Sequence, residues 1–373
     1  MILPGAWLGV LGGGQLGRFF TLAARRMGYA VCVYDPDPHS PAGTVADRHI
    51  CAPFDDAMQL REFARAVAAV TIEFENVPMA TLALLAQETP VRPAPAAVGI
   101  AQDRSAEKAF FKAQGLPVGP YCDLRTPADF AQAKVVRFPA ILKTARLGYD
   151  GKGQATVDRY ADLPAAFERL GRVPCVLEER LALATEISLV LARGADGAVV
   201  PFTVAENRHR HGILDVSIVP ARVDDAVRTQ AVTIATAIAC ALDYVGVLGV
   251  EFFVLDDGRL VLNEMAPRPH NSGHYTLDAC ATDQFEQQVR ALCGLPLGDA
   301  RLWSPAAMVN LLGDTWRDGR VPVEAIVAPR VKLHLYGKRE PRPGRKMGHF
   351  TVLADSTDAA LAEALAIQKR LSV

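Results

Sequence analysis

Residues 249–265, Gly-Val-Glu-Phe-Phe-Val-Leu-Asp-Asp-Gly-Arg-Leu-Val-Leu-Asn-Glu-Met, restrict this chain more than any other stretch. Two apolar runs rich in β-formers meet at Asp257-Gly258. Asp-Gly between such runs predicts a two-residue hairpin turn. A turn centred there sets Glu251 directly opposite Glu264. Their side chains then share a face with Phe253, Leu255, Leu260 and Leu262, and Phe252, Val254 and Val261 occupy the other. Neither face reads as solvated, so two carboxylates meet at ~5 Å on a buried surface and repel. A shared proton, a basic side chain or a divalent cation would offset that repulsion. Two carboxylates plus phosphate oxygens is a usual way of holding Mg²⁺. A ladder shifted by one or two residues would instead leave the acids at a wet rim.

The totals set bounds on the rest. A chain of 373 residues has room for two or three domains at about 150 residues each. Half of it is apolar and 22% is charged, which supplies ample core. The net charge of −1 demands neither nucleic acid nor an anionic membrane, so any phosphate site is built locally. Seven cysteines lie scattered without a Cys-x-x-Cys pair, which suits buried thiols in a reducing cytoplasm. No basic-then-apolar leader opens the chain, and no apolar run reaches the ~20 residues of a membrane helix. The expectation is a soluble cytoplasmic protein.

In chain order, Trp7–Leu11 reads as a strand, Gly12-Gly-Gly-Gln-Leu-Gly17 as a loop, Arg18–Met27 as a helix and Ala30–Tyr34 as a second strand. Gly12, Gly14 and Gly17 fit G-x-G-x-x-G, and Asp35 stands near where a ribose-binding acid would sit. That pattern fits NAD, but it also fits any phosphate brought to a helix N-terminus. A further unit follows, with a helix over Asp55–Ala66, a strand over Ala68–Ile72, then Glu73-Phe-Glu-Asn-Val-Pro78 at the strand's C-terminal edge, where open α/β sheets bind ligands. Val91–Pro95 reads as a linker, and Gln102–Gln114 as a helix carrying Asp103, Arg104, Glu107 and Lys108.

A small β-rich domain begins after Pro120. Its strand Phe138–Lys143 ends in a lysine, followed by Leu147-Gly-Tyr-Asp-Gly-Lys-Gly-Gln154, a glycine-rich flap able to offer N–H groups and a cation to phosphates. Val176–Leu181 reads as a strand running into acids, Glu186–Leu191 as another, and Glu206-Asn-Arg-His-Arg-His211 as a polar interruption of β structure. Asp224–Leu242 reads as a long amphipathic helix. Ala266–His274, with its prolines and donors, reads as a rigid loop that positions an anion; Asp283–Leu292 reads as a helix and Lys332–Tyr336 as a strand. Lys338, Arg345 and Lys346 make a basic turn suited to a phosphate, and Thr357–Leu371 reads as a closing helix.

Lys143, the flap Gly148–Gln154, Glu178-Glu179, Glu186 and the pair Glu251…Asn263-Glu264 resemble, in order and spacing, the ATP-grasp superfamily. With Gly12–Gly17, Glu73–Asn76, Arg268-Pro-His-Asn-Ser-Gly-His274 and Arg345-Lys-Met-Gly-His349, the likeness narrows to its purine-synthesis carboxylases and runs from about residue 5 to about 353.

The resemblance implies an α/β chain, α+β in its ATP-grasp part: a Rossmann-like parallel-sheet domain over 1–98, a small ATP-grasp domain with the flap over 99–182, and a C-terminal ATP-grasp domain over 183–373. It implies ATP, Mg²⁺ and bicarbonate acting on 5-aminoimidazole ribonucleotide, by way of carboxyphosphate, in a cytoplasmic homodimer. ATP would be held by Arg104, Lys143, the flap residues Gly148, Tyr149, Asp150, Gly151, Lys152, Gly153 and Gln154, Glu178, backbone around Glu179, Arg180 and Leu181, Glu186, His209, Asn263 and Glu264. Glu251 and Glu264 would bind Mg²⁺. The glycine loop would then hold the ribonucleotide and not NAD. Gln15, Leu16, Glu73, Asn271, Lys338, Arg345 and Lys346 would contact it, while Lys143, Arg268, His270 and Asn271 would serve the chemistry. Two stretches depart from the pattern: Thr144-Ala-Arg-Leu147 and the weakly charged Leu181–Thr185. The alternatives are a formate-dependent glycinamide ribonucleotide transformylase, an NAD-dependent oxidoreductase and a non-catalytic ATP-binding regulator.

Overall fold

The computed structural model describes residues 1–148, 151–317 and 319–371. Tyr149 and Asp150 of the flap lie outside the described residues. Three sheets organise the chain. The first has four parallel strands in the order Arg48–Ile50, Ala30–Tyr34, Trp7–Leu11, Ala69–Ile72. Leu8–Leu11 and Val31–Tyr34 are buried, as strands covered by helices on both faces must be. The helix after the glycine loop spans Gln15–Arg26, so it starts on the loop itself and not at Arg18. The next covers Ala57–Arg65, where Asp56 caps it by accepting from the N–H groups of Met58 and Gln59.

The small second sheet is antiparallel: Tyr121–Leu124, Cys175–Glu179, Ala140–Thr144, Gln154–Val157. The flap joins its last two strands in this order. The third sheet has nine antiparallel strands, with the hairpin Gly246–Leu255 and Leu260–Ala266 at one end and Lys346–Leu353 and Val331–Leu335 at the other. The helix Asp225–Ala241 packs Ala231, Ile234 and Ile238 against Ile187, Leu189, Val250 and Phe252 of that sheet. A side chain buried this way contributes roughly 1.5–3 kcal/mol.

The helix Gln284–Cys293 connects the first and third sheets. Phe285, Val289 and Leu292 pack with Phe19, Phe20 and Ala23. Gln288 accepts from the N–H of Val247 at 2.6 Å and donates to Thr71 Oγ1 at 2.8 Å. One buried amide therefore ties the hairpin to the strand Ala69–Ile72, which leads into Glu73, and so sets the separation of the two ends of the site. No helix among the described residues is long and apolar enough to cross a membrane.

Three sequence expectations are corrected. The stretch 206–211 is not an interruption: Ala205–Arg210 is a strand, and the chain turns only at His211 and Gly212, both at positive φ. Its polar residue Asn207 faces inward onto polar partners, so the strand carries no apolar alternation. The region after Val91 contains a helix, Pro95–Ala101, with Pro95 in its first turn. The hairpin turn has three residues, Asp256–Gly258, with Leu255 N–H donating to Arg259 and Gly258 at φ +82°. Pairing near it is Val254↔Leu260, Phe253↔Val261 and Phe252↔Leu262. A bulge at Asn263 then restores Glu251↔Glu264. Leu260 and Leu262 consequently join Phe252 and Val254 in the core and do not share the face of Glu251.

Candidate active site

A cavity of about 890 Å³ runs between the three sheets. Gln15, Leu16, Glu73, Lys338, Arg345 and Lys346 line it from the glycine-loop side. Arg104, Lys143, Gly148, Gly151, Lys152, Gly153, Gln154, Glu186 and His209 line it from the flap side. Glu251, Asn263, Glu264, Arg268, His270 and Asn271 lie between. Glu178, Glu179, Arg180 and Leu181 are not among its lining residues.

At the glycine-loop end, close approach is possible only because side chains are missing: a Cβ on Gly14 would collide with the Glu73 carboxylate, and one on Gly12 with Glu73 and Phe74. Glu73 accepts the N–H of Gly17 at 3.2 Å. Burial pushes the Glu73 carboxyl up, and these loop amides pull against that shift. Asp35 accepts the N–H groups of Gly13 at 2.7 Å and Asp37 at 2.8 Å. It therefore orders the loop. Lys338 donates to the carbonyl of Lys346 at 2.8 Å, which folds the basic turn toward the cavity.

At the other end, Lys143 is the penultimate residue of the strand Ala140–Thr144. Its Nζ lies 3.1 Å from Glu178, which also takes Lys108 at 3.4 Å. Burial opposes ionisation of Glu178, yet Lys143, Lys108 and Arg104 hold it down at about 2. Glu178 thus braces the lysine. Its neighbour Glu179, on the opposite strand face, accepts the N–H of Arg137 at 3.1 Å. His209 Nδ1 stands 3.0 Å from Glu186.

The hairpin acids are unequal. Arg104 lies 2.8 Å from Glu264 and, with Lys143, holds that carboxyl at about 2 despite its burial. Burial, then the charge on Glu264, pushes Glu251 up to about 7. Asn263 donates to Glu251 at 3.4 Å, while its own Oδ1 is buried without a partner. Two carboxylates and an orphaned amide oxygen make an all-oxygen donor set that fits a hard divalent cation. Among the described residues no three His, Cys, Asp or Glu side chains are grouped to hold a metal alone. Such an ion would therefore complete its coordination with ligand oxygens.

Several partners were not singled out from the sequence. Glu75 takes the Arg268 guanidinium through Nε and through Nη2, the latter at 3.1 Å. Asn310 exchanges two amide bonds with Asn271, at 3.1 and 2.8 Å. Glu107 is buried, accepts the N–H of Met265 at 2.7 Å, and is pushed to about 8 by burial and by Glu264. Burial, with Arg268 and Lys346 nearby, drives His270 down to about 3, so its ring is neutral.

This combination of a small antiparallel sheet with a lysine and flap, facing a large sheet that offers paired acids, places the chain in the ATP-grasp class. The family model for the ATP-grasp domain matches residues 109–285, and that for the ribonucleotide synthetase preATP-grasp domain matches 6–102. The model for the phosphoribosylaminoimidazole carboxylase C-terminal domain matches 306–363. An N5-carboxyaminoimidazole ribonucleotide synthase of Bacillus subtilis is 42% identical over 364 residues, covering 97% of this chain and 95% of that one. The ADP complex of an N5-carboxyaminoimidazole ribonucleotide synthetase superposes with a TM-score of 0.93 at 39% identity, covering 100% of this chain and 99% of its own. An Aspergillus clavatus N5-carboxyaminoimidazole synthase, in complex with ADP and 5-aminoimidazole ribonucleotide, gives 0.90 at 31% identity, with 98% of each chain covered. The chain belongs to the N5-carboxyaminoimidazole ribonucleotide synthase family, ATP-grasp ligases that form a C–N bond.

Proposed function

We infer that this cavity carries out the ATP-dependent carboxylation of 5-aminoimidazole ribonucleotide to N5-carboxyaminoimidazole ribonucleotide, with ADP and phosphate as co-products, in purine biosynthesis. The observation that carries this reading is one continuous cavity joining a nucleotide-type flap and acid pair to a glycine loop with a basic turn. An NAD-dependent oxidoreductase leaves the flap and the acid pair without a role.

We propose bicarbonate as the carboxyl donor. It is a poor electrophile, so an oxygen of bicarbonate first attacks the γ-phosphorus, ADP leaves, and carboxyphosphate forms. The exocyclic amine then attacks this carboxyl carbon, or the CO₂ released from it. A C–N bond forms, phosphate departs and the amine loses a proton. Lys143, braced by Glu178, and the flap from Gly148 to Gln154 neutralise and cover the phosphates and keep water from the labile intermediate. Glu186 and His209 take the ribose side of ATP. Arg268, His270 and Asn271, held by Glu75, Ser272 and Asn310 respectively, surround the carboxyl being transferred. Glu73 orients the amine, Gln15 and Leu16 hold the ribonucleotide, and Lys338, Arg345 and Lys346 hold its 5′-phosphate. Glu251 and Glu264, with Asn263 beside them, would hold Mg²⁺, which when bound with ATP supplies charge neutralisation at the phosphates.

We divide the chain into units 1–98, 99–182 and 183–373, a division supported by the strands of each sheet falling within one unit. A cytoplasmic homodimer is the working state we propose from the resemblance, and the seven free cysteines suit a reducing compartment. The test is ATP cleavage with and without 5-aminoimidazole ribonucleotide and bicarbonate, following carbamate formation. Equal yields of ADP and carbamate with all three substrates are expected. ADP formed instead with glycinamide ribonucleotide and formate would move the chain to the transformylase reading.

A further inference from the structure

Beneath the loop that carries His270, a line of buried polar side chains crosses three neighbouring strands of the large sheet. Ser217 Oγ lies 2.9 Å from Asn207 Oδ1. Asn207 Nδ2 lies 2.8 Å from Ser188 Oγ. Ser188 Oγ lies 2.7 Å from Ser272 Oγ, and Ser272 Oγ lies 2.8 Å from His270 Nδ1. All four relay residues are buried, Asn207 being the most exposed at 4%. Apolar residues of similar size would pack these strands without the cost of burying polar groups. The line is therefore not something the fold requires.

Its direction can be worked out from the end that has no choice. The backbone N–H of Ser272 points at His270 Nδ1 at 3.4 Å. A backbone N–H only donates, so Nδ1 presents a lone pair. Ser272 Oγ must then donate to Nδ1 and accept from Ser188, which in turn accepts from the Asn207 amide nitrogen. The Asn207 oxygen is left to accept from Ser217. In this direction Ser188 and Ser272 each accept one hydrogen bond and donate one, and Ser217 heads the line as a donor. The reverse direction needs the Asn207 amide turned over, and it sets a ring Nδ1–H against the Ser272 N–H. The His270 backbone is also clamped: its N–H donates to Gln284 at 2.8 Å and its carbonyl accepts from Gln284 at 2.9 Å. The ring lies close over Gly249, where a Cβ would approach within 2.7 Å of His270 Cβ. Only Nε2 faces the cavity, 3.4 Å from Glu251 Oε1.

We propose that Ser217, Asn207, Ser188 and Ser272 are positioning residues that hold His270 in its Nε2–H tautomer, so that it presents an N–H donor to an oxygen of the transferring carboxyl group. This rests on the carboxylation reading of the cavity. In this tautomer Nε2 has no lone pair, so His270 does not take the proton that the amine loses.

The test is the two-bond nitrogen–proton NMR spectrum of the full chain grown with isotope-labelled histidine, with the His270 signals assigned by their loss in His270→Asn. The expected spectrum has a pyridine-like Nδ1 and a pyrrole-like Nε2; the reverse pattern overturns the relay. Asn207→Asp puts an acceptor at both of its oxygens, so it should turn the line around and populate Nδ1–H. With it, kcat for carboxylation should fall by roughly 10–100-fold at unchanged KM for ATP. Unshifted ring nitrogens in folded Asn207→Asp also overturn the relay. Ser188→Ala, which breaks the line without adding charge, should give mixed tautomers and a smaller fall in kcat; a wild-type spectrum there counts against the proposal. A reversed tautomer with unchanged kcat overturns the catalytic use alone. A wild-type protein that makes no carbamate overturns the reading beneath it, while the spectra still judge the relay.

Discussion

At the glycine-loop end of the cavity, Asp35 and Glu73 accept backbone N–H groups of the loop itself, whereas at the hairpin end Glu251 and Glu264 face one another. Both ends hold a pair of half-buried acids. At the first, the chain supplies donors that shape the loop, and Glu73 still lines the cavity. At the second, Arg104 satisfies Glu264, and Glu251 is left next to a like charge and an amide oxygen with no partner. An acid that its own backbone holds is set in place before a ligand arrives. An acid that faces another acid calls for a positive partner, which we propose arrives with the ligand.

The sharpest way to break this contrast is Glu264→Gln. Carboxylation should fall on the order of a thousandfold with the circular dichroism spectrum unchanged; a near wild-type rate would remove the hairpin from the chemistry. Glu73→Gln should act on the other substrate. KM for 5-aminoimidazole ribonucleotide should rise roughly tenfold to a hundredfold, with ATP binding, measured by calorimetry, unaltered.

Glu107 sharpens the comparison through pH. Its folded carboxyl sits at about 8, above its unfolded value, so the stability it contributes is present below the unfolded value and is lost as pH rises toward 8. Glu107→Gln keeps an acceptor for the Met265 N–H and should flatten this decline, gaining roughly 1–3 kcal/mol over wild type above pH 8. Denaturant titrations at pH 5 and 8.5 would show it, and parallel pH profiles for the two proteins would refute it. The smallest effect belongs to Asp35→Ala. Losing the acceptor for Gly13 and Asp37 should cost about 1–2 kcal/mol in denaturant midpoint analysis. The flap end should be untouched, with no change in ATP affinity.

How much of this was legible in the sequence varied with the range of the interaction. The parallel strands, the flap and the closing helix follow local patterns, and the strand Ala30–Tyr34 and the helix Thr357–Leu371 were read to the residue. The opposition of Glu251 and Glu264 was also legible, but by a reason only half right. The turn is one residue longer than Asp-Gly suggests, and the bulge at Asn263 takes up the difference. No local pattern announces a bulge, so the faces of Leu260 and Leu262 came out reversed.

The braces were not legible. Arg268 meets Glu75 across 193 residues and Asn271 meets Asn310 across 39. The strand Ala205–Arg210 hid because Asn207 is inward-facing and polar, with its partners on two other strands. Of the adjacent acids Glu178 and Glu179, strand alternation decides which one meets Lys143, and that parity depends on pairing across the sheet.

We propose that the hairpin pair is completed by a cation that comes with ATP. Calorimetric titration of ATP with Mg²⁺, at about pH 6.5 and in two buffers of different ionisation enthalpy, tests this directly. With Glu251 near 7, part of the protein carries a proton there, and a cation favours the charged form. Binding should therefore release protons, and both the release and the gain in affinity from Mg²⁺ should vanish in Glu251→Gln. Equal ATP affinity with and without Mg²⁺, and no proton release from the wild type, would contradict it.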